Sequence, residues 1–254
     1  MKNILKKILS LLSRSQAIYL FSKKIIDYAK NENNCETDTN GELYFIKKIS
    51  PEMRTVFDVG ANIGEWTALI TEICPNAIVY SFEPSKKTFE TLSKNISNPN
   101  AHLHNIGLGD KKEARDFFIY GENSVLNSAI ERDLFGPAHA PTTERVSFNT
   151  VDDFCKENNV SHISFLKIDT EGNELAVLYG ATRFITEGKI DAIQFEYGGT
   201  YIDAGILLKD VFAFFQNKPY SIYKLMQGNL KPTPGYSQDM ENFQYSNYIA
   251  LLRK

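Results

Sequence analysis

Phe57-Asp58-Val59-Gly60-Ala61-Asn62-Ile63-Gly64-Glu65-Trp66-Thr67 is the stretch on which the fold turns. It continues a short apolar run, 55–59, and leads into a helical pattern over 64–73 that stops before Pro75. The next apolar run, 77–82, ends on Glu83. A strand, a glycine turn, a helix and an acid at the tip of the second strand make a mononucleotide-binding half-site. The glycines let backbone approach a ligand, the helix start offers free N–H groups, and the acid accepts ribose hydroxyls.

The spacing narrows the nucleotide. A dinucleotide fingerprint reads G-x-G-x-x-G, yet counting from Gly60 the second and third glycine positions hold Asn62 and Glu65. A side chain fills the phosphate cradle, and a carboxylate sits at the anion-binding end of the helix. Both oppose a pyrophosphate. They suit an adenosine without phosphate that carries an amino acid tail, with Asp58 facing the tail's ammonium and turn N–H groups holding its carboxylate. S-adenosylmethionine has that composition. Glu83, 23 residues after Gly60, separates this reading from an ordinary tight strand-to-helix turn.

The 254 residues, 43% hydrophobic and 12% aromatic, fit one α/β domain with additions or two small ones. A net charge of −3 gives no basic footprint, so nucleic acid is not expected as a partner. Cys35, Cys74 and Cys155 are far apart, with no C-x-x-C or Cys/His cluster, so neither zinc nor a disulfide framework is signalled. Reduced thiols in a cytoplasmic protein are the default.

The division expected is a basic extension and linker over 1–40, then the main domain over 41–254. Residues 1–30 carry Lys2, Lys6, Lys7, Arg14, Lys23, Lys24 and Lys30 against Asp27 alone. Apolar residues fall at helical spacing at Ile4, Leu5, Ile8, Leu9 and Leu12, and again at Ile18, Phe21, Ile25 and Tyr28. The cations interrupt any signal-peptide core, and a spanning helix needs ~20 apolar residues. Two readings stay open. The helix packs on the domain or in a homodimer, or it lies on an anionic membrane at the inner face, where enzymes modifying lipid-linked glycans would work.

Residues 31–41 are polar and turn-rich and read as a linker. Beyond them strands are expected at 101–106, 163–168 and 192–195, with helices at 86–96, 151–157, 173–185 and 206–215. Residues 107–110 form a turn. The alternating runs 115–120 and 145–148 read as antiparallel additions at an edge, separated by a long loop over 121–144. Residues 220–226 and 248–252 close the chain as an antiparallel pair. Sequential βα units with that pair imply a Rossmann-like, mainly parallel, doubly wound α/β sheet with a C-terminal antiparallel hairpin.

Five motifs in order carry a resemblance: 56–64 around the glycine turn, Phe82-Glu83-Pro84, 105–110, Thr150-Val151-Asp152-Asp153-Phe154 and the K-I-D-x-E-G run of 166–174. Together they resemble the FkbM-type methyltransferases over about residues 50–200. The resemblance implies a class I methyltransferase fold and S-adenosylmethionine-dependent O-methylation, usually of a sugar or polyketide hydroxyl. By the resemblance, Asp58, Gly60, Ala61, Asn62 and Gly64 hold the methionine end, Glu83, Pro84 and Ser85 the ribose and adenosine, and Gly107 and Leu108 border the adenine.

The Asp169-Thr170-Glu171-Gly172 run ends a core strand, where ligands bind in such sheets. Methyl transfer from sulfur to oxygen is an in-line displacement, so the protein must align the acceptor and remove its proton. Asp169 and Glu171 are the nearest candidates for that work, and Glu196, at the tip of the fifth strand, adds a third carboxylate. Glu174 reads rather as support for the helix start. The acids either act without metal, the preferred reading, or hold Mg²⁺. Ser124, Asn127 and His139, in the long loop, are candidates for binding acceptor hydroxyls, with His139 also a second choice of base.

The function expected is O-methylation of a sugar hydroxyl on a bacterial surface glycan or its precursor. Polyketide-type hydroxyls and N-methylation are alternatives within enzymes. The Asp-Thr-Glu-Gly run replaces the Asn/Asp-Pro-Pro-Tyr turn that amide methylation often uses. A membrane-attached scaffold is the non-enzyme alternative, and it has no need of Gly60, Asn62, Gly64 and Glu83 together.

Overall fold

The computed structural model describes Lys6, Ser10, residues 14–132 and residues 140–253. Strand β1 (Thr55–Val59) is apolar except for Thr55 and Asp58, and burial on both faces places it mid-sheet. Parallel to it run β2 (Ile78–Phe82) and then β3 (Ala101–His104) on one side. On the other side lie β7 (Ile163–Ile168) and β8 (Ile190–Tyr197), also parallel. Beyond β8 the direction reverses. Strand β11 (Ser246–Leu252) inserts antiparallel between β8 and β9 (Tyr220–Met226), and β10 (Asn229–Pro232) hairpins onto β9. The eight strands stand in the order β10-β9-β11-β8-β7-β1-β2-β3. This is the class I methyltransferase-like α/β arrangement, with its C-terminal antiparallel strands.

Nine described α-helices accompany the sheet, and all but the first pack on it through apolar residues. They are α1 (Gln16–Lys30), α2 (Glu42–Ile49), α3 (Glu65–Ile73), α4 (Lys86–Asn95), α5 (Val151–Glu157), α6 (Glu174–Gly180), α7 (Thr182–Thr186), α8 (Thr200–Ala204) and α9 (Leu208–Phe215). One apolar core joins Phe57, Phe82, Phe154 and Phe195 to the inner faces of α5–α9. A second joins Val56, Phe165 and Ile249 to Phe45 and Ile46 of α2 and to Trp66 and Ile70 of α3.

The structure departs from the sequence expectations in several places. Gly107–Leu108 is not a turn but a short strand, β4, paired parallel with β6 (Thr142–Asn149). With β5 (Glu113–Ile119) these form a separate three-stranded sheet, not additions at the edge of the main one. The helix expected over 173–185 is broken at Ala181 into α6 and α7. Residues 31–41 are not a free linker. Asn31, Glu32 and Asn40 are buried, and the Asn31 amide donates to the carbonyls of Asn40 and Leu225. Polar composition marked the segment as a turn region but could not show that amides would satisfy buried carbonyls.

Helix α6 and the turn after β4 meet backbone to backbone. A Cβ at Gly180 would stand 1.9 Å from the carbonyl oxygen of Gly109. Gly180→Ala should therefore lower unfolding free energy by ~1–3 kcal/mol, the usual cost of forcing atoms into a packed interior. Urea unfolding measures it, and an unchanged midpoint contradicts the close packing.

Candidate functional site

A cavity of about 520 Å³ opens at the carboxyl ends of β1, β2, β7 and β8. Ligand clefts of open α/β sheets lie at this edge. Two sets of residues face each other across it.

The first set is the glycine turn and Glu83. Gly60 (φ +89°) and Asn62 (φ +47°) bend the chain sharply between β1 and α3. Only glycine fits at position 60, because a Cβ there would stand 1.8 Å from the carbonyl oxygen of Asp169. Glu83 is 5% exposed. Its carboxylate accepts the Asn62 N–H at 3.1 Å on one oxygen and the Ser85 N–H at 2.9 Å on the other. Burial pushes its pKa up to about 7, against the pull of those two hydrogen bonds. Each oxygen keeps a lone pair for a further donor, which suits a pair of vicinal hydroxyls. Gly60, Ala61, Asn62, Glu83, Pro84, Gly107 and Leu108 line the cavity. This donor and acceptor set fits an adenosine-bearing cofactor.

Asp58, Gly64 and Ser85 stand behind that wall rather than on it. Gly64 precedes α3, and Ser85 offers Glu83 its backbone N–H. Asp58 does not face the cavity as the sequence suggested. It is fully buried, with one oxygen accepting from Thr67 at 2.7 Å and the other 3.7 Å from Lys167 Nζ. Its ion-pair partner is a lysine of the chain.

The second set is acidic. Asp169, Glu171 and Glu196 each bring a carboxylate oxygen within 4.8 Å of the others, and all three line the cavity. Lys167 Nζ lies 2.9 Å from Asp169 Oδ2. Burial would raise the Asp169 pKa, but the Lys167 charge and hydrogen bond outweigh it and hold the carboxyl below its ordinary range. Burial, then the Asp169 charge, pushes Glu196 well up. The same two causes raise Glu171 to about 8, against the Arg132 guanidinium 3.1 Å away. One ionised acid thus stands beside two that favour the protonated form.

Glu174 is buried and belongs to the scaffold. Its carboxylate accepts the N–H and hydroxyl of Thr170 and the N–H of Gly172. These bonds brace a turn in which Glu171 has φ +55° and Gly172 φ +105°. Ser124 and Asn127 line the cavity, yet both side chains serve their own loop. Ser124 Oγ accepts the Leu126 N–H, while Asn127 accepts from Tyr120 and donates to Gly121. His139 lies outside the described residues.

Sequence reasoning missed Lys167, Glu42, Cys35, Thr37 and Tyr245 as cavity residues. Lys167 was legible in principle. A lysine within the fully buried run Ile163–Ile168 must be paired. The other four reach the cleft from segments distant in sequence, and local pattern carries no signal of that.

Comparison with known proteins agrees with this geometry. The profile described as "Methyltransferase FkbM domain" matches residues 58–222. The chain is 28% identical over 147 residues to "Methyltransferase 1" of Beauveria bassiana, covering 51% of this chain and 59% of that protein. It is 25% identical over 180 residues to the hexuronic acid methyltransferase AglP of Haloferax volcanii, covering 68% and 67%. A crystal structure of a methyltransferase FkbM from Methylobacillus flagellatus superposes with a TM-score of 0.50 at 20% identity, covering 78% of this chain and 44% of that one. The chain thus spans less than two thirds of the length of two of these relatives. Through residues 58–222 it belongs to the FkbM methyltransferase domain family, a family of S-adenosylmethionine-dependent methyltransferases.

Proposed function

We propose that this protein transfers a methyl group from S-adenosylmethionine to a carbohydrate hydroxyl, within a catalytic domain over 41–254. The observation that carries the reading is one cavity with two unlike walls. Glu83, held by the Asn62 and Ser85 N–H groups, stands on one. Asp169, held by Lys167, stands on the other. AglP, whose name states a hexuronic acid substrate, supports a sugar acceptor.

In this reading Glu83 binds the ribose hydroxyls and the Gly60–Asn62 turn the amino acid end. S-adenosylmethionine supplies a methyl group on a sulfonium, which leaves as a neutral thioether. The remaining work is proton handling, typically worth ~10²–10⁴-fold. Asp169 takes the hydroxyl proton because Lys167 keeps it ionised. Glu196, carrying a proton, hydrogen-bonds Asp169 and fixes its orientation. Glu171, anchored by Arg132, lines the acceptor path. Ser124 and Asn127 shape the loop beside the acceptor instead of gripping its hydroxyls. Residues 1–30 serve as a peripheral membrane contact; among the described residues no helix is long and apolar enough to cross a membrane.

A second reading has Mg²⁺ on Asp169, Glu171 and Glu196, favoured by the convergence of their oxygens. Lys167 argues against it, since an ammonium already occupies one Asp169 oxygen.

Glu83→Gln should weaken S-adenosylmethionine binding ~10–100-fold in calorimetry, the span expected for hydrogen bonds to a charged group. The wild-type affinity should fall as pH drops from 8 to 6, because Glu83 takes up a proton near pH 7 and then loses an acceptor site. Glu83→Gln should lack that slope. Unchanged affinity in the variant contradicts the ribose assignment.

Asp169→Asn should bind the cofactor normally and abolish methylation, read by mass spectrometry as loss of a methyl group from surface glycans of cells carrying the variant. Normal methylation by that variant rules out Asp169 as base. Cofactor-dependent methylation in extracts that stops with EDTA would shift the account to the metal reading.

A further inference from the structure

Helix α1 presents the wrong face to its own protein. None of its 15 residues is buried. Phe21, Ile25 and Tyr28 are 66%, 53% and 73% exposed, and with Ile18 they recur at three- and four-residue spacing as one stripe. The opposite stripe, Lys23 and Asp27, is the one that meets the body. Lys23 Nζ lies 2.8 Å from Asp27 and 3.5 Å from Gln244 Oε1. A helix that packed on its domain would bury the apolar stripe and expose the charges. Here the apolar stripe is offered outward.

Charge selects the occupant. Residues 1–30 carry seven basic side chains against one acid, so a second copy would bring like charge against like. An anionic bilayer brings the opposite charge, and aromatic and aliphatic side chains flanked by lysines suit its interface.

The helix is also tied to the cleft. It ends at Asn31, whose side chain is fixed on Leu225 and Asn40. Glu32 follows, held by Lys224 at 2.9 Å and Asn242 at 3.0 Å. Cys35 already lines the cavity, together with Thr37 and Glu42. Four residues of chain reach at most ~14 Å. The acid side of the cleft therefore begins within ~14 Å of the end of α1.

We propose that the acceptor is a saccharide carried on a membrane lipid, which an anionic bilayer beneath α1 presents to the Asp169 side of the cleft. The inference rests on the O-methyltransferase reading and adds the class of acceptor.

The test uses the full chain and vesicles of phosphatidylcholine with or without phosphatidylglycerol. Cys35 is exposed while Cys74 and Cys155 are buried, so a thiol dye attaches at Cys35. The reference position is Asp191→Cys in a Cys35→Ser background. Asp191 is exposed at the start of β8, roughly 17 Å from Glu196 at ~3.3 Å per residue. The protein should float with phosphatidylglycerol vesicles. Energy transfer to a headgroup dye should be several-fold stronger from Cys35 than from position 191. Phe21→Ser with Ile25→Ser should abolish flotation and leave S-adenosylhomocysteine binding unchanged. Equal transfer from both positions overturns the lipid-carried acceptor and leaves the reading of the cleft standing. Absence of flotation, or a stable dimer by light scattering that flotation does not accompany, overturns it as well. Failure of the wild type to bind S-adenosylhomocysteine would instead sink the methyltransferase reading beneath it.

Discussion

The ammonium of Lys167 sits inside the central sheet, where an unpaired charge would be prohibitive. Strand register resolves the problem. Lys167 of β7 is directly opposite Asp58 of β1, which is opposite Ser81 of β2, and Gln194 of β8 flanks Lys167 on the other side. The four polar residues form a row across a buried parallel sheet. Thr67 joins its end by hydrogen bonds to both Asp58 and Ser81. Removing one partner of a buried ion pair typically costs ~3–5 kcal/mol, because the other charge is left stranded. A one-residue slip of β7 would turn Lys167 to the opposite face of the sheet from Asp58, so the row also fixes register.

From that row the site follows. Lys167 is stabilised by Asp58 and has a second oxygen within reach at Asp169, just past the end of β7. The pairing keeps one carboxylate ionised in a crowd of acids, while burial and mutual repulsion leave protons on its neighbours. Gly60 brings the other wall close by lying against the Asp169 carbonyl, so the donor and acceptor halves share a backbone contact. Glu174 holds the turn between Asp169 and α6, and Arg132 ties Glu171 to Asp203 of α8. The chemistry proposed for the cleft depends on charges whose positions the sheet has set.

Much of this was legible in sequence where the signal is local. The glycine turn, the acid at the tip of β2 and the strands at 55–59, 163–168 and 220–226 follow from periodicity and spacing, and the structure has them at those residues. What periodicity cannot carry is the identity of partners. Nothing local to Asp58 points to its ion pair with Lys167, which lies 109 positions away on another strand. The Asn127 side chain was read as free for a substrate, yet a loop with exposed backbone uses such amides to close itself. Helix α2 has no clear local signal, because it is short and follows a polar segment buried through contacts with β9 and residues 242–247.

A crystal structure with S-adenosylhomocysteine tests the central claim most directly. The account predicts both ribose hydroxyls within hydrogen-bond distance of Glu83 and the sulfur directed at the Asp169 side of the cavity. A nucleoside placed away from Glu83, or a sulfur turned from Asp169 toward the β4–β6 sheet, would contradict the division of the cleft into donor and acceptor walls.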